Sequence, residues 1–188
     1  MIVDPFNEFP VLTLPNGFKL REFRHSDATS YFKLLKHPQV CLYIPDSFMP
    51  KTRIDAVKEM MLQQSLFNQR KTIFWVIAND KDELIGSCGY ENWHKQQYRV
   101  EISYELHPDY WGQGIATEAL RSIIDFGFKY FLARRFEAYT LPNNTQSNKL
   151  LERLNFKLDG TLRQYRCFNG QQTDVLIFSL LPDDWNNE

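Results

Sequence analysis

The sequence predicts an α+β fold, a mixed and mostly antiparallel sheet flanked by helices. Two turn signals, Pro15-Asn16-Gly17 and Asn169-Gly170, lie at opposite ends of the chain, and each separates two runs typical of β-strands. Between them strand-like and helix-like segments alternate, which adds a βαβα stretch to the two hairpins. The 188 residues are 43% hydrophobic, so the chain can bury a large core, and we expect one domain spanning residues 1–188.

Composition excludes several classes of protein. The 22 Lys and Arg nearly balance the 23 Asp and Glu, so no overall field favours nucleic acid or a membrane surface. No segment approaches the roughly 20 apolar residues of a transmembrane helix. The opening residues, MIVDPFNEF, contain two acidic residues and no apolar run, which predicts that there is no signal peptide. Cys41, Cys88 and Cys167 lack the spacing of a disulfide framework or zinc site, so we expect reduced thiols, a cytoplasmic protein and no metal.

A hairpin and a helix are predicted in the first forty residues. The strands, Val11–Leu14 and Lys19–Phe23, flank the first turn signal. Ser26 is the expected N-cap of the helix. We expect it to end near Lys36, because Pro38 disfavours helical backbone at the residue before it.

A second helix and a second hairpin follow. Thr52 can cap the helix, which reaches about Gln69, and its predicted inner face consists of Ile54, Val57, Met61 and Ser65. The segment Thr72–Ala78 is apolar and rich in β-branched and aromatic residues, which is typical of a central strand. A polar turn over Asn79–Glu83 leads to the returning strand, Leu84–Tyr90.

The strand predicted over Tyr98–His107 carries two kinds of side chain. Its apolar face consists of Val100, Ile102, Tyr104 and Leu106, and its polar face of Arg99, Glu101, Ser103 and Glu105. This alternation is ordinary for a strand at a sheet edge that faces water, and less ordinary in mid-chain where a glycine loop follows.

The remaining elements complete the βαβα stretch and the terminal hairpin. A long helix is predicted over Ile115–Phe131, with an inner stripe of Ile115, Ala119, Ile123, Gly127 and Phe131. The elements expected after it are a strand over Arg135–Thr140, a short helix over Thr145–Leu154, and strands over Lys157–Phe168 and Thr173–Leu181.

The segment with the most chemical information is Glu105–Leu120, ELHPDYWGQGIATEAL, in which Gly112-Gln113-Gly114 opens the long helix. Glycine lets a ligand approach the backbone, and the first amides of a helix have no acceptor within it, so this junction suits an anion such as a pyrophosphate. A dinucleotide-binding motif does not fit, since Thr117 stands at its third glycine. No P-loop motif occurs. The two glycines alone are also compatible with a helix start that binds nothing.

Three stretches together resemble the GNAT superfamily of N-acetyltransferases, and in particular its RimJ/RimL branch, which acetylates ribosomal-protein N-termini and other amines. The string EISYELHPDYWGQGIATEAL resembles the acetyl-CoA-binding motif. Residues 144–156, NTQSNKLLERLNF, resemble a helix of that branch, and the C-terminal pattern ending in SLLPDDW resembles its terminal hairpin. The resemblance covers essentially the whole chain and implies the GNAT fold.

Two positions depart from the general pattern of the superfamily. Trp111 stands where many members have Gln or Arg, and Trp is common there in the RimJ/RimL branch. Asn155 replaces the usual Gly after the helix, where a left-handed backbone is expected, and Asn is the best alternative to Gly in that conformation. Neither departure argues against CoA binding.

The resemblance implies how acetyl-CoA would be held. The amides from Gln113 to Thr117 would bind the pyrophosphate, and the strand from Tyr104 to Leu106 would pair with the pantetheine arm. Asn144 would bond the pantetheine, and Ser147 would protonate the departing thiolate, with N-capping as its alternative role. The expected CoA-binding residues are Tyr104, Leu106, Trp111, Gly112, Gln113, Gly114, Ile115, Ala116, Thr117, Asn144 and Ser147.

Acetyl transfer to an amine also needs a base, because a Lys amine with a pKa of about 10.4 is mostly protonated near neutrality and an α-amine near 8 is partly so. Glu101 and Glu105 share one face of the strand and are the candidates, with the superfamily's usual base close to Glu101. A solvated or ion-paired carboxylate is the alternative for each. Further options for the base are His94 and His107, and Phe74, Trp75, Tyr90 and Trp93 could line the acceptor pocket or belong to the core.

The predicted activity is transfer of acetyl from acetyl-CoA to a primary amine by direct attack, with a ribosomal-type protein N-terminal α-amine as the first candidate acceptor. Because the thioester is already activated, Cys88 and Cys167 are not expected to act as nucleophiles. The alternatives are an acetyltransferase for a small amine, such as an aminoglycoside or polyamine, and a CoA-binding module without catalysis. Several carboxylates in the acceptor cleft would favour the small amine. A monomer and a homodimer are equally expected.

Overall fold

Eight strands form one sheet in the computed structural model, which describes residues 4–185. The strands are β1 (Leu12–Thr13), β2 (Lys19–Arg21), β3 (Phe74–Ala78), β4 (Leu84–His94), β5 (Arg99–Leu106), β6 (Arg135–Thr140), β7 (Lys157–Phe168) and β8 (Gln171–Leu180). The helices are α1 (Ala28–Leu35), α2 (Arg53–Asn68), α3 (Ile115–Tyr130), α4 (Thr145–Arg153) and α5 (Pro182–Trp185). The first three residues of the segment predicted to hold no signal peptide lie outside the described residues.

The sheet is mostly antiparallel, as the hairpin signals predict, and its order is β1-β2-β3-β4-β5-β6-β8-β7. The central pair, β5 and β6, is parallel, and its ladder joins only Arg99–Glu101 to Arg135–Glu137. Beyond Glu101, β5 continues to pair with β4, while β6 pairs with β8. The two strands therefore separate toward their C-terminal ends and leave a gap in the middle of the sheet.

Two apolar clusters pack on opposite faces of the sheet. Alternate residues of β3 divide between them, with Trp75 and Ile77 in the cluster under α3 and α4, and Phe74 and Val76 in the cluster under α1 and α2. The inner stripe predicted for α3 is buried along its whole length. Among residues 4–185, no helix combines the length and the apolar character that crossing a membrane requires.

The inner face predicted for α2 is wrong. Ile54 and Met61 are 65% and 62% exposed, Ser65 is exposed, and only Val57 of the four packs against the core. The buried residues of the helix are Ala56, Met60 and Phe67. Apolar side chains occur all around this helix, so their spacing does not select one face. The N-cap is correct, since Thr52 Oγ1 accepts a hydrogen bond from the amide of Asp55.

The N-cap predicted for α1 is also wrong. A short 3₁₀ turn over His25–Asp27 precedes the helix and places Asp27 at the cap position, so Ser26 lies inside the turn. The Asp27 carboxylate accepts from the Arg24 amide at 2.7 Å and forms a bidentate pair with the buried Arg21, at 2.7 and 2.9 Å. The buried guanidinium needs this carboxylate, which fixes the turn.

The alternation predicted for β5 is correct, and the strand lies in the interior of the sheet. β5 lies between β4 and β6, with Val100, Ile102 and Leu106 buried in the core. Three of its polar side chains, Glu101, Ser103 and Glu105, line a cavity inside the protein, and this cavity is the candidate active site.

Candidate active site

A cavity of about 530 Å³ lies where β5 and β6 separate. Residues 101–106 of β5 and 138–140 of β6 form its floor. One wall, called here the helix wall, consists of Trp111, Gly112, the first turn of α3 and the inner residues of α4. The opposite wall, called here the loop wall, consists of Tyr43, Ile44, Pro45, Phe48, Arg166 and Phe168.

The start of α3 has the geometry of an anion site. Gly112 and Gly114 have φ angles of +73° and +79°, a left-handed conformation that favours glycine, and a Cβ atom at either position would meet no heavy atom within 4 Å. No side chain caps the helix, and its first internal bond runs from the Glu118 amide to the Gly114 carbonyl at 3.0 Å. The amides of Ile115–Thr117 therefore lie at the open end of the helix, on the cavity wall.

The loop before α3 is tied to the end of β5. The Trp111 indole N–H donates to the Leu106 carbonyl at 2.7 Å, and both residues line the cavity. Gln113 is the one expected CoA-binding residue outside the lining, and its side chain donates to the Asp109 carbonyl at 2.9 Å. Its side chain thus shapes the loop, which is compatible with the role expected of its backbone amide.

The free edge of β5 is the second feature that suits a chain-like ligand. Tyr104 and Leu106 lie in the part of β5 that no longer pairs with β6, and both line the cavity. Backbone groups on such an edge can hydrogen-bond an extended ligand as they would another strand. The expected contact with a pantetheine arm is therefore sterically open.

At the start of α4, two predicted residues take different roles. The Asn144 side chain accepts from the Ser147 amide at 3.2 Å, so Asn144 is the N-cap and Ser147 is not. The Ser147 hydroxyl lies 2.5 Å from the Tyr104 phenol oxygen, and both groups line the cavity. Burial raises the pKa of Tyr104, which keeps the phenol protonated and able to donate. Only a backbone role could be predicted for Tyr104 from the sequence, because the placement of α4 over β5 is not visible in it.

Glu105 lies on the opposite face of β5. Its carboxyl accepts a hydrogen bond from the Ser87 hydroxyl on β4. Burial is the main cause that raises the pKa of Glu105 to about 8. The hydrogen bond from Ser87 lowers this pKa, and the nearby carboxylates of Glu91 and Glu59 raise it. A carboxyl in this range can exchange a proton with an amine near neutrality.

Glu101 is held differently. One of its carboxylate oxygens accepts from Arg166 Nη2 at 2.6 Å and the other from Asn92 Nδ2 at 2.7 Å. The Arg166 guanidinium also lies over the Tyr139 ring, 4.8 Å from its centre. Both oxygens of Glu101 are thus engaged, which leaves Glu105 better placed to accept a proton.

A third carboxyl in the cavity is absent from the predicted site. Glu91 lines the wall, accepts from the Ser103 hydroxyl at 2.7 Å, and has its pKa raised by burial. The predicted strand ends at Tyr90, whereas β4 continues to His94 with a register shift between Tyr90 and Asn92. The alternation of side chains could therefore not be extended to Glu91 from the sequence. Arg166, on the distant hairpin, is missed for the same lack of tertiary information.

The remaining candidates lie away from the cavity. His94 is exposed, and the His107 ring packs against His37 with ring centres 5.2 Å apart. The four aromatic residues considered for the acceptor pocket, Phe74, Trp75, Tyr90 and Trp93, pack within or against the core. Within residues 4–185, no group of three or more His, Cys, Asp or Glu side chains is arranged to hold a metal ion.

Comparison with known proteins identifies the family. A family model described as "Acetyltransferase (GNAT) domain" matches residues 18–157. The uncharacterized N-acetyltransferase p20 of Bacillus licheniformis is 34% identical over 168 residues, covering 88% of this chain and 93% of that protein. The ribosomal-protein-serine acetyltransferase of Escherichia coli (strain K12) is 30% identical over 132 residues, or 70% of this chain and 71% of that protein.

Solved structures agree on the fold. Mycobacterium smegmatis RimJ in complex with CoA-disulfide superposes with a TM-score of 0.81 at 24% identity, covering 93% of this chain and 87% of that one. That protein has the GNAT fold which the motifs imply. With the family model spanning most of its length and a relative 34% identical, this chain belongs to the GNAT family of N-acetyltransferases.

Proposed function

We propose that this N-acetyltransferase transfers acetyl from acetyl-CoA to the α-amine at the N-terminus of a protein or peptide. The observation that carries the proposal is a proton acceptor and a proton donor on the two faces of one strand. Glu105 lies on one face of β5, the Tyr104–Ser147 pair lies on the other, and all three residues line the cavity. The similarity to an acetyltransferase named for ribosomal proteins supports the acceptor class.

Acetyl-CoA fits the helix wall and the gap between the strands. The open first turn of α3, with Gly112 and Gly114 in left-handed conformation, offers amides to the pyrophosphate. The unpaired edge of β5 from Tyr104 to Leu106 offers peptide groups to the amides of the pantetheine arm. The thioester would then lie between the two strands, with Ser147 beside its sulfur.

The proposed reaction is a direct attack. Glu105 accepts a proton from the ammonium form of the acceptor, and the neutral nitrogen then bonds to the thioester carbonyl carbon as the carbon–sulfur bond breaks. The acylated nitrogen loses its second proton to solvent. The Ser147 hydroxyl, hydrogen-bonded to Tyr104, gives its proton to the departing thiolate and recovers one from the phenol or solvent. A backbone amide of β5 would stabilise the oxyanion.

The pKa of Glu105 favours an α-amine over a lysine side chain. An α-amine has a pKa near 8, so its proton transfers to a carboxyl of similar pKa at little cost in free energy. A lysine amine has a pKa near 10.4, about two units above that of Glu105, so transfer of its proton to Glu105 would be unfavourable. The match with the value of about 8 for Glu105 thus points to N-termini.

The test is an acetylation assay with three versions of one peptide. The first has a free N-terminus and one lysine, the second has a blocked N-terminus, and the third has a blocked lysine. We expect mass spectrometry to find acetylation at the α-amine only, so the second peptide should not react. Acetylation of the lysine alone would contradict the proposal. Tight binding of acetyl-CoA without turnover on any amine would instead favour a CoA-binding module.

A second candidate acceptor, a small polycationic amine, is favoured by the three carboxyls that line the cavity, Glu91, Glu101 and Glu105. Arg166 opposes it, because its guanidinium lines the same cavity and would repel a second positive charge. A polyamine and an aminoglycoside therefore belong in the assay. A kcat/KM for either of them above that for the peptide would make the small amine the substrate.

We also propose a cytoplasmic location for the enzyme. Its cysteines, Cys41, Cys88 and Cys167, are all free thiols, and such thiols persist in a reducing compartment. Cell fractionation with antibody detection tests the location.

A further inference from the structure

Two segments that are far apart in the sequence meet at the loop wall. One joins α1 to α2 and contributes Tyr43, Ile44, Pro45 and Phe48 to the cavity. The other is the end of the β7–β8 hairpin, which contributes Arg166 and Phe168. Neither belongs to the central sheet strands that form the floor, so the shape of this wall depends on how the two segments hold each other.

One side chain joins them with three hydrogen bonds. The Asp46 carboxylate accepts from the amides of Asn169 and Gly170 at 2.8 and 2.7 Å, and from the Cys167 thiol at 3.3 Å. The two amides belong to the hairpin turn, where Asn169 and Gly170 have positive φ angles of 50° and 74°. This turn presents both N–H groups to one carboxylate. The bonds, that of Gly170 first, lower the pKa of Asp46, which therefore stays ionised and bound near neutrality.

An apolar contact lies beside these bonds. Tyr43, from the same segment as Asp46, packs against a cluster formed by Leu141, Phe168 and Val175. Loss of the carboxylate would leave this packing in place, so the segment would stay folded while the hairpin turn lost its acceptors. The apolar contact therefore suffices for the wall to form, and Asp46 holds the hairpin turn against it.

We propose that Asp46 is a positioning residue for the acceptor, a latch that holds the loop wall closed over Glu101 and Glu105. Asp46 does not line the cavity, so it would act through the residues it fixes, Phe48 on its own segment and Arg166 and Phe168 on the hairpin. The inference rests on the proposed function, because it takes the loop wall as the acceptor side. Since the three hydrogen bonds of Asp46 go to the hairpin and not to the helix wall, binding of acetyl-CoA should not depend on them.

The first experiment measures the latch directly by amide hydrogen exchange. We compare wild type with Asp46→Ala, with Asp46→Asn, which keeps one acceptor oxygen, and with Asp80→Ala, an exposed aspartate in the β3–β4 turn as control. We expect exchange of the Asn169 and Gly170 amides about tenfold faster in Asp46→Ala, less acceleration in Asp46→Asn, and none in the control. Unchanged exchange in Asp46→Ala overturns the proposal.

The second experiment uses whichever amine the wild type acetylates in the panel above. In Asp46→Ala we expect the KM of the acceptor to rise about tenfold, with a smaller change in kcat and the KM of acetyl-CoA within about twofold of wild type. An acceptor KM that stays constant while the turn amides exchange faster overturns the proposal. So does an equal rise in both KM values with a lower melting temperature, which indicates general loosening. The experiment works with any amine that the wild type acetylates. It can therefore contradict the role of Asp46 even if the acceptor is not a protein N-terminus, and the two proposals fail on different results.

Discussion

Glu101 and Glu105 stand on the same face of β5, yet their neighbours give them different chemistry. Arg166 and Asn92 occupy both oxygens of Glu101, so this carboxylate serves to hold the guanidinium in the loop wall. Glu105 receives one hydrogen bond, from Ser87, and is otherwise desolvated. The alternation of β5 places the two carboxyls equally and the family resemblance puts the base close to Glu101, whereas the partners from β4 and the hairpin favour Glu105.

The change Glu105→Gln tests the assignment of the base. A base must be unprotonated, so the wild-type rate should rise with pH through the pKa of Glu105, about 8. We expect the variant to lose about 10²–10³-fold in kcat/KM and to lose this rise. The measurement is a pH profile with an acceptor amine of low pKa, whose own titration lies below the range of interest.

Glu101→Gln is the matched control on the same strand face. We expect it to alter the KM of the acceptor through Arg166 while the pH profile keeps its inflection. An inflection that disappears in Glu101→Gln and persists in Glu105→Gln would reverse the two assignments.

The pair of Tyr104 and Ser147 gives a second residue-level prediction. We expect Ser147→Ala and Tyr104→Phe each to lower kcat by roughly 10–100-fold, because both hydroxyls serve one proton transfer. The double variant should be little worse than the poorer single variant, as expected of groups that act as a unit. Ser147→Ala leaves the N-cap of α4 intact, since Asn144 binds the amide of residue 147 and not its side chain. Additive losses in steady-state kinetics would contradict a shared role.

At the scale of elements, the gap between β5 and β6 is the feature that creates the site. At its closed end lies Glu137, which is 5% exposed, accepts a hydrogen bond from Arg135 Nε at 2.7 Å and forms an ion pair with Arg99 Nη1 at 3.4 Å. The pair of Arg99 and Glu137 joins the two strands across their short ladder. Beyond that point the strands follow different neighbours, and the cavity opens.

Local signals predict the elements well, and they fail where tertiary contacts decide. The turn at Asn169-Gly170 and the left-handed Asn155, with a φ of 63°, follow from backbone preferences that each residue carries by itself. The N-cap of α1 and the inner face of α2 do not, because the buried Arg21 and the packing of Met60 decide them. The separation of β5 from β6 likewise depends on which strands pair, so it could not be predicted from the sequence of either strand alone.

Gly114→Ala tests the start of α3 as an element. The left-handed backbone of residue 114 costs an alanine about 1–2 kcal/mol, although its Cβ would meet no neighbouring atom. We expect this loss in stability together with CoA binding weakened roughly three- to tenfold, because the first-turn amides would shift. Titration calorimetry and thermal unfolding measure the two effects.

Gly160→Ala provides the matched control for that change. Gly160 lies in β7, has open space around its Cα and lacks a positive φ, so we expect neither property to change by much. Unaltered CoA affinity in Gly114→Ala would mean that the conformation of the helix start does not contribute to binding.

At the scale of the whole molecule, the fold separates the surface proposed to bind CoA from the buried carboxyls. The near-balanced charges of the chain provide no global attraction for an anion, so binding of CoA has to rely on the local field of the α3 terminus. On the opposite face of β5 the fold places several carboxyls in a desolvated cavity, which favours proton transfer and disfavours their ionised forms. The same arrangement that serves the proposed reaction should therefore reduce the stability of the folded protein.

The pH dependence of unfolding tests this cost. Below its ordinary pKa of 4.5, Glu105 is protonated in both states and has no effect on stability. Between 4.5 and about 8 the unfolded chain loses this proton while the folded protein keeps it, so stability should fall as pH rises through that interval. Glu105→Gln removes this effect. We expect the free energy of unfolding of the variant to exceed that of wild type by an amount that grows with pH to roughly 2–4 kcal/mol near pH 8. Aspartates with lowered pKa, such as Asp46 and Asp55, act only at more acidic pH and remain in both proteins.

Urea unfolding at about pH 5, 6.5 and 8 measures the difference, with the exposed Glu8→Gln as control. If the free energies of unfolding of wild type and Glu105→Gln run parallel across this range, the carboxyl of Glu105 is not desolvated in the folded enzyme, and its proposed role as the base fails with it.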